Sequence, residues 1–334
     1  MIKGIARFEY FLYKLQLLLD KASKQKNPAL WLYKHDARTP VFMLEGLCKM
    51  YAGLHNKKKF TKLYEHFKLL EDTLGAIDYY DTIAKDISTN KKIPAAVTTY
   101  LQAQSREKIQ NLNEILVEKG WLLPDNNRIQ KITKKLHEAS WLKEENEVKG
   151  INEYYGKAIY NISEFIITTA CNFDNIEADV HELRRKLRWL SIYPQALRGC
   201  IQLSANKTVP KNLKKYLTKE ITTSVFNILP EAGDAENILL LDQNHFYALS
   251  WMIAQLGIIK DKGLHVVAIK EALQQTSDLE DVAALKKAYQ LLGTKQIKLE
   301  DLLTEAATLC KVFFDEQVLE HLVIGEKVLA IETA

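Results

Sequence analysis

Apolar residues recur at i, i+3, i+4 and i+7 along nearly all of this chain, the spacing that gathers them on one face of an α-helix. The pattern predicts helices over 7–23, 41–54, 60–73, 78–88, 94–120, 126–140, 148–171, 177–192, 209–228, 243–256, 264–275, 278–292 and 299–313. Alternating apolar and polar positions, the mark of a half-buried strand, are nearly absent. The expected fold class is therefore all-α. Thr39-Pro40 reads as an N-cap followed by the first helical residue, and Ser277-x-x-Glu280 as a capping box. Leu-Pro-Asp-Asn-Asn at 123–127 reads as a turn between two helices, and 204–210 and 229–238 as loops. Gly75 and Gly257 each follow an apolar helical run and read as C-caps.

One predicted helix has an unusual polar side. In His181–Trp189 the apolar stripe is Val180, Leu183, Leu187 and Leu190. His181, Arg184, Arg185 and Arg188 share the opposite side at i, i+3, i+4 and i+7. Stacked guanidiniums repel one another unless an anion sits among them, and their planar fork suits phosphate oxygens. From His181 to Lys219 ten Lys or Arg stand against one acid, Glu182, a local net of +9. A solvated face, or neutralisation by acids from a neighbouring helix, is the alternative.

Composition narrows the class. The 334 residues are 47% hydrophobic and 26% charged, as in an ordinary globular protein. The net charge is only +4, so the basic character lies in a patch, while residues 271–334 carry twelve acids against six Lys. Cys48, Cys171, Cys200 and Cys310 form no C-x-x-C pair and read as packed thiols of a reducing cytoplasm. The charged N-terminus does not read as a secretory signal, and no apolar run is long enough for a membrane span. No H-E-x-x-H, G-x-S-x-G or phosphate-cradling glycine loop is present, and Asp242-x-x-His245 is the lone carboxylate-x-x-His pair. The expectation is a protein without catalytic activity, cofactor or metal.

A weak internal repeat appears. His35-x-x-Arg38 and His181-x-x-Arg184 lie 146 residues apart, and each precedes a Leu-Gly pair, Leu74-Gly75 and Leu256-Gly257. On these residues the chain resembles the CHAD family, the conserved-histidine α-helical domains, over roughly 7–315. That family's pattern is H-x-x-R-x-x-x-R-[RK], then L-G-x-x-R-D-x-D. His181, Arg184 and Arg188 fit, with Arg185 an added cation; His35, Arg38, Asp81, Lys260 and Asp261 fit as well. Phe42 stands at a basic position, Asp78 at an Arg, Tyr79 at an Asp and Gly263 at an Asp. The second copy also holds about 35 extra residues before its Leu-Gly pair.

The resemblance implies two pseudo-symmetric helical-bundle halves, 1–145 and 146–334, in one two-lobed domain. It also implies non-catalytic binding of inorganic polyphosphate, or a similar polyanion, in a basic channel between the halves. The expected contacts are His181, Arg184, Arg185 and Arg188, with weaker help from His35, Arg38 and Lys49 and from a second patch at Lys214 and Lys215. The altered first copy should be less attractive to an anion. It leaves open a helical scaffold with a protein partner, or an accessory to an enzyme of polyphosphate metabolism. Few aromatics interleave with the basic face, which argues against nucleic acid. Tyr79-Tyr80 and Tyr154-Tyr155 read as interhelix contacts, and Lys57-Lys58-Lys59 as a solvated loop.

Overall fold

The computed structural model describes residues 3–122, 128–204, 208–293 and 298–329. The expected turn at 123–127 and the middle of the 204–210 loop lie outside them. The described residues are predominantly helical, as the apolar period requires. In order they form α1 (Lys3–Ala22), α2 (Pro28–Lys34), α3 (Arg38–Leu54), α4 (Lys57–Ser88), α5 (Ala95–Glu118), α6 (Arg128–His137) and α7 (Glu144–Thr169). A π-helical turn, Ile176–His181, runs straight into α8 (Glu182–Ala196). Then come α9 (Lys219–Thr222), α10 (Gln243–Ser277), α11 (Asp281–Leu292) and α12 (Leu299–Asp315). No described helix is long and apolar enough to cross a membrane.

Several boundaries differ from the expectation. Gly75 and Gly257 cap nothing: α4 and α10 each run unbroken through their glycine, fusing pairs of predicted helices. Lys57–Lys59 form the first turn of α4, capped by Asn56, whose side chain accepts from Lys59 N at 2.9 Å. α3 begins one residue before Thr39, and Pro40 is tolerated in its first turn. Ser277 ends α10 rather than capping α11; left-handed Asp278 makes the turn. The predicted helix 209–228 is mostly coil, with only α9 and two 3-10 turns. There the burial comes from separate anchors, Leu213 and Tyr216, and the Asn227 side chain donates to Ile221 O instead of facing solvent.

A small sheet departs from a purely helical chain. β1 (Ile201–Ser204) pairs in parallel with β2 (Asn237–Asp242), and β2 pairs antiparallel with β3 (Val323–Val328). The run Ile238–Leu241 is too short and too apolar for its period to separate strand from helix.

Two apolar cores hold the helices. The larger draws on α1, α3, the first half of α4, α7, α8, the first half of α10 and α12. The smaller joins the ends of α4 and α10 to α5 and α11 through Ile83, Val97, Leu101, Val266, Ile269 and Ala288. Residues from both sides of position 145 fill each core.

Inside the larger core sits a buried ion pair. Arg7 (α1) donates to Glu147 Oε2 (α7) at 2.7 Å and to the Tyr51 hydroxyl (α3) at 2.7 Å; Tyr51 in turn donates to Glu147 Oε1 at 2.6 Å. Both charges are almost fully buried. Removing one partner of such a pair strands the other charge, so Glu147→Ala should cost about 3–5 kcal/mol in denaturant unfolding, whereas Arg7→Met with Glu147→Leu should recover much of that loss.

Candidate functional site

Two arginines lie flat on the backbones of the two longest helices. Arg38, at the start of α3, packs over Gly75 of α4, where an added Cβ would stand 2.9 Å from its NH2. Arg184, in the first turns of α8, packs over Gly257 of α10, where a Cβ would stand 3.1 Å from its Nε. Glycine inside a helix costs about 1 kcal/mol relative to alanine. Here it makes room for a guanidinium. Arg184 Nε donates to Ile253 O of α10 at 3.1 Å.

Arg188, one turn beyond Arg184, places its guanidinium 4.6 Å from the centre of the Phe42 ring of α3. Burial pushes it down to about 10, and Arg184 and Arg38 push in the same direction while Glu71 opposes them. Burial also lowers Arg184, with Asp261 opposing and Arg38 adding to the effect. The three guanidiniums thus share one electrostatic field.

Their neutralisation is uneven. Arg38 donates to Glu71 Oε1 from Nε at 2.8 Å, and its NH1 lies 3.3 Å from Asp78 Oδ2. Among the described residues no carboxylate lies within ion-pair distance of Arg184 or Arg188.

The remaining predicted residues go elsewhere. Arg185 does not share the face of Arg184 and Arg188. It pairs with Glu182 and turns into a cleft. The four-residue polar side read from the sequence is therefore split: Arg184 and Arg188 face α3 and α10, while Glu182, Arg185, Lys186 and Trp189 face the cleft. His181 is held by Glu177, 2.8 Å from its Nδ1, within the π-helical turn. His35 is exposed, stacks on Trp31 at 3.9 Å and binds Trp31 O through Nδ1 at 2.8 Å. Lys215 pairs with Glu316, the residue that follows α12, at 2.6 Å, with Lys214 exposed beside it. These four residues join neither the arginine cluster nor the cleft. Of the tyrosines, Tyr80 and Tyr100 donate to Glu271 and Tyr155 to Leu190 O, all interhelix contacts, but Tyr154 lines the cleft.

The cleft, about 730 Å³, lies between α3, α4, α7 and α8. Lys49 lines it, Nζ 4.8 Å from the centre of a Trp189 ring. Its tip reaches solvent, yet partial desolvation by the walls lowers its ammonium to about 8; Glu45 opposes this, and Arg185 and Lys186 reinforce it. Glu45, one turn earlier on α3, is buried and its Oε2 has no hydrogen-bond partner. Burial raises its carboxyl to about 7, helped by Glu71 and Asp72 and opposed by Lys68 and Lys49. Sequence reasoning passed over Glu45. The signal was there: it falls within the apolar stripe of Val41, Leu44 and Cys48, where a carboxylate is out of place.

Among the described residues no cluster of His, Cys, Asp or Glu has the makings of a metal site. Its four cysteines are free thiols.

Glu45 makes stability depend on pH. Between its ordinary value of 4.5 and about 7 the folded chain keeps a proton that the unfolded chain has released. Its contribution is full below 4.5 and is lost as pH rises through about 7. The loss should be on the order of 3 kcal/mol, and Glu45→Gln should abolish it and be the more stable protein at pH 8, as read by urea unfolding at pH 5 and 8.

The chain matches no family model, no curated protein and no solved structure.

Proposed function

We propose that this chain binds inorganic polyphosphate, or a polyanion of similarly spaced phosphates, without catalysis, and that Arg184 and Arg188 with Arg38 are the contacts. One observation carries the reading: two half-buried guanidiniums stand beside a third with no carboxylate on either of them. Partly desolvated cations left unpaired are costly, and an anion with several oxygens relieves that cost through charge-assisted, forked hydrogen bonds.

The internal resemblance supports the same reading. Arg38 and Arg184 each stand three residues after a His, and each packs on the glycine of a Leu-Gly pair. That shared packing favours a chain of two related halves in the manner of CHAD domains. Phe42, seven residues after His35, corresponds to Arg188, seven after His181, and the two are stacked. The first half thus offers a ring where the second offers a charge, and Glu71 and Asp78 hold its remaining arginine. A site of this kind takes a short stretch of polyphosphate. A protein scaffold that has lost its anion is the competing reading, favoured by those two carboxylates.

Titration with medium-chain polyphosphate over a range of salt separates them. Arg184→Ala with Arg188→Ala should weaken binding and reduce the slope of log K against log salt by about two. Unchanged affinity and slope would overturn the proposal, and absence of binding in both proteins would favour the scaffold. Gly257→Ala should also weaken binding several-fold while its helix gains up to about 1 kcal/mol of intrinsic propensity, because the new methyl displaces Arg184; a thermal melt alongside the titration checks both effects.

A further inference from the structure

We propose that the cleft between α3, α4, α7 and α8 is a second binding site, separate from the arginine cluster, for a small aromatic anion: a flat ring bearing one acidic group. Its volume, about 730 Å³, is that of a site for such a molecule. Trp189, Tyr154, Tyr64 and Phe42 give it aromatic walls. Phe42 and Trp189 stack on each other at 4.6 Å and divide the cleft from the cluster, with Arg188 against Phe42 and Lys49 against Trp189.

The sign of the ligand follows from which charges are already used. Lys68 is taken by Asp72, Arg185 and Lys186 by Glu182, and Glu71 by Arg38. Lys49, Lys149 and Lys157 also line the cleft, and among the described residues none has a carboxylate within ion-pair distance. Against these three ammoniums stand exposed Glu153 and buried Glu45. Glu45 belongs to the wall, and the cost of its buried, unpartnered Oε2 is one that a ligand hydrogen-bonded to its carboxyl would relieve.

Glu45 faces Lys49 on its own helix and Tyr64, Lys68, Glu71 and Asp72 on α4; Arg185, Lys186 and Glu182 of α8 act on Lys49. In its neutral form it donates to an anion; ionised, it repels one. Lys49 loses its charge slightly above the pH at which Glu45 gains one. Both changes weaken anion binding as pH rises.

Calorimetric titration of the full chain with naphthalene-1-sulfonate, whose charge is constant over this pH range, tests the proposal. Methanesulfonate and 1-naphthol serve as the anion and the ring alone. Naphthalene-1-sulfonate should bind at pH 6, more tightly than either fragment, and lose about tenfold or more by pH 9. Lys49→Met should weaken it about tenfold at pH 6, and Lys157→Gln carries the same test should Lys49→Met not fold. Glu45→Gln should keep the affinity at pH 6 and reduce the pH dependence to the part that Lys49 contributes. Arg184→Ala, which removes a guanidinium packed on Gly257 away from the cleft, should leave binding unchanged, whether or not that variant has lost polyphosphate. The proposal is overturned by absence of saturable binding at about 1 mM ligand, by indifference to the lysine variants, or by loss of binding in the Arg184→Ala variant.

Discussion

A guanidinium laid on a helix backbone needs a residue beneath it without a side chain. This constraint, met at Arg38 over Gly75 and Arg184 over Gly257, ties α3 to α4 and α8 to α10. It also explains why two helices of 32 and 35 residues tolerate glycine in mid-course. The consequence for charge is direct. Arginine has five N–H donors, and the contact with Ile253 O occupies one of Arg184's. Packing against the α10 backbone thins the water around the remainder, so the side chain is partly desolvated and not neutralised. The proposed anion site would follow from how the helices are joined.

The two arginines meet the same constraint with different neighbours. Glu71 and Asp78 hold Arg38, while Arg184 feels Asp261 only at longer range. Phe42 then replaces a charge with a ring, and Arg188 uses that ring as its support. The charge open to a ligand is therefore concentrated on α8 and falls off toward α3. Repulsion among the three guanidiniums is held in check by Glu71 on one side and by the stacked ring on the other.

Much of this was legible in the sequence because helices are local. The period of three to four residues located nearly all of the long helices, and the apolar stripe Val180, Leu183, Leu187 and Leu190 is fully buried. What the period cannot show is where one helix continues into another. Glycine after an apolar run resembles a stop, and only the arginine packed on it from elsewhere shows that Gly75 and Gly257 are interior. The polar side of α8 failed in a related way. Positions at i, i+3, i+4 and i+7 span an arc wide enough to face two neighbours, so Arg185 parts from Arg184 and Arg188 once α7 and α3 are in place. His35 and His181 share the spacing that suggests a pair of ligand contacts, but Trp31 and Glu177, each four residues earlier, hold them locally.

Glu71 connects the cluster to the cleft. Its carboxylate is fixed by Arg38 on one side and raises the proton affinity of Glu45 on the other. Glu71, paired with Arg38, places a carboxylate beside Glu45, and a negative charge on Glu45 is disfavoured first by burial and then by that neighbour. Glu45 is therefore about half protonated near neutrality, and Lys49 loses its proton more readily because desolvation by the walls, reinforced by Arg185 and Lys186, disfavours its charge. Two groups on adjacent turns of α3 are thus brought close to neutral pH from opposite ends of the scale. Glu71, through which Arg38 ties α3 to α4, thus adds to burial in raising the Glu45 carboxyl of the cleft.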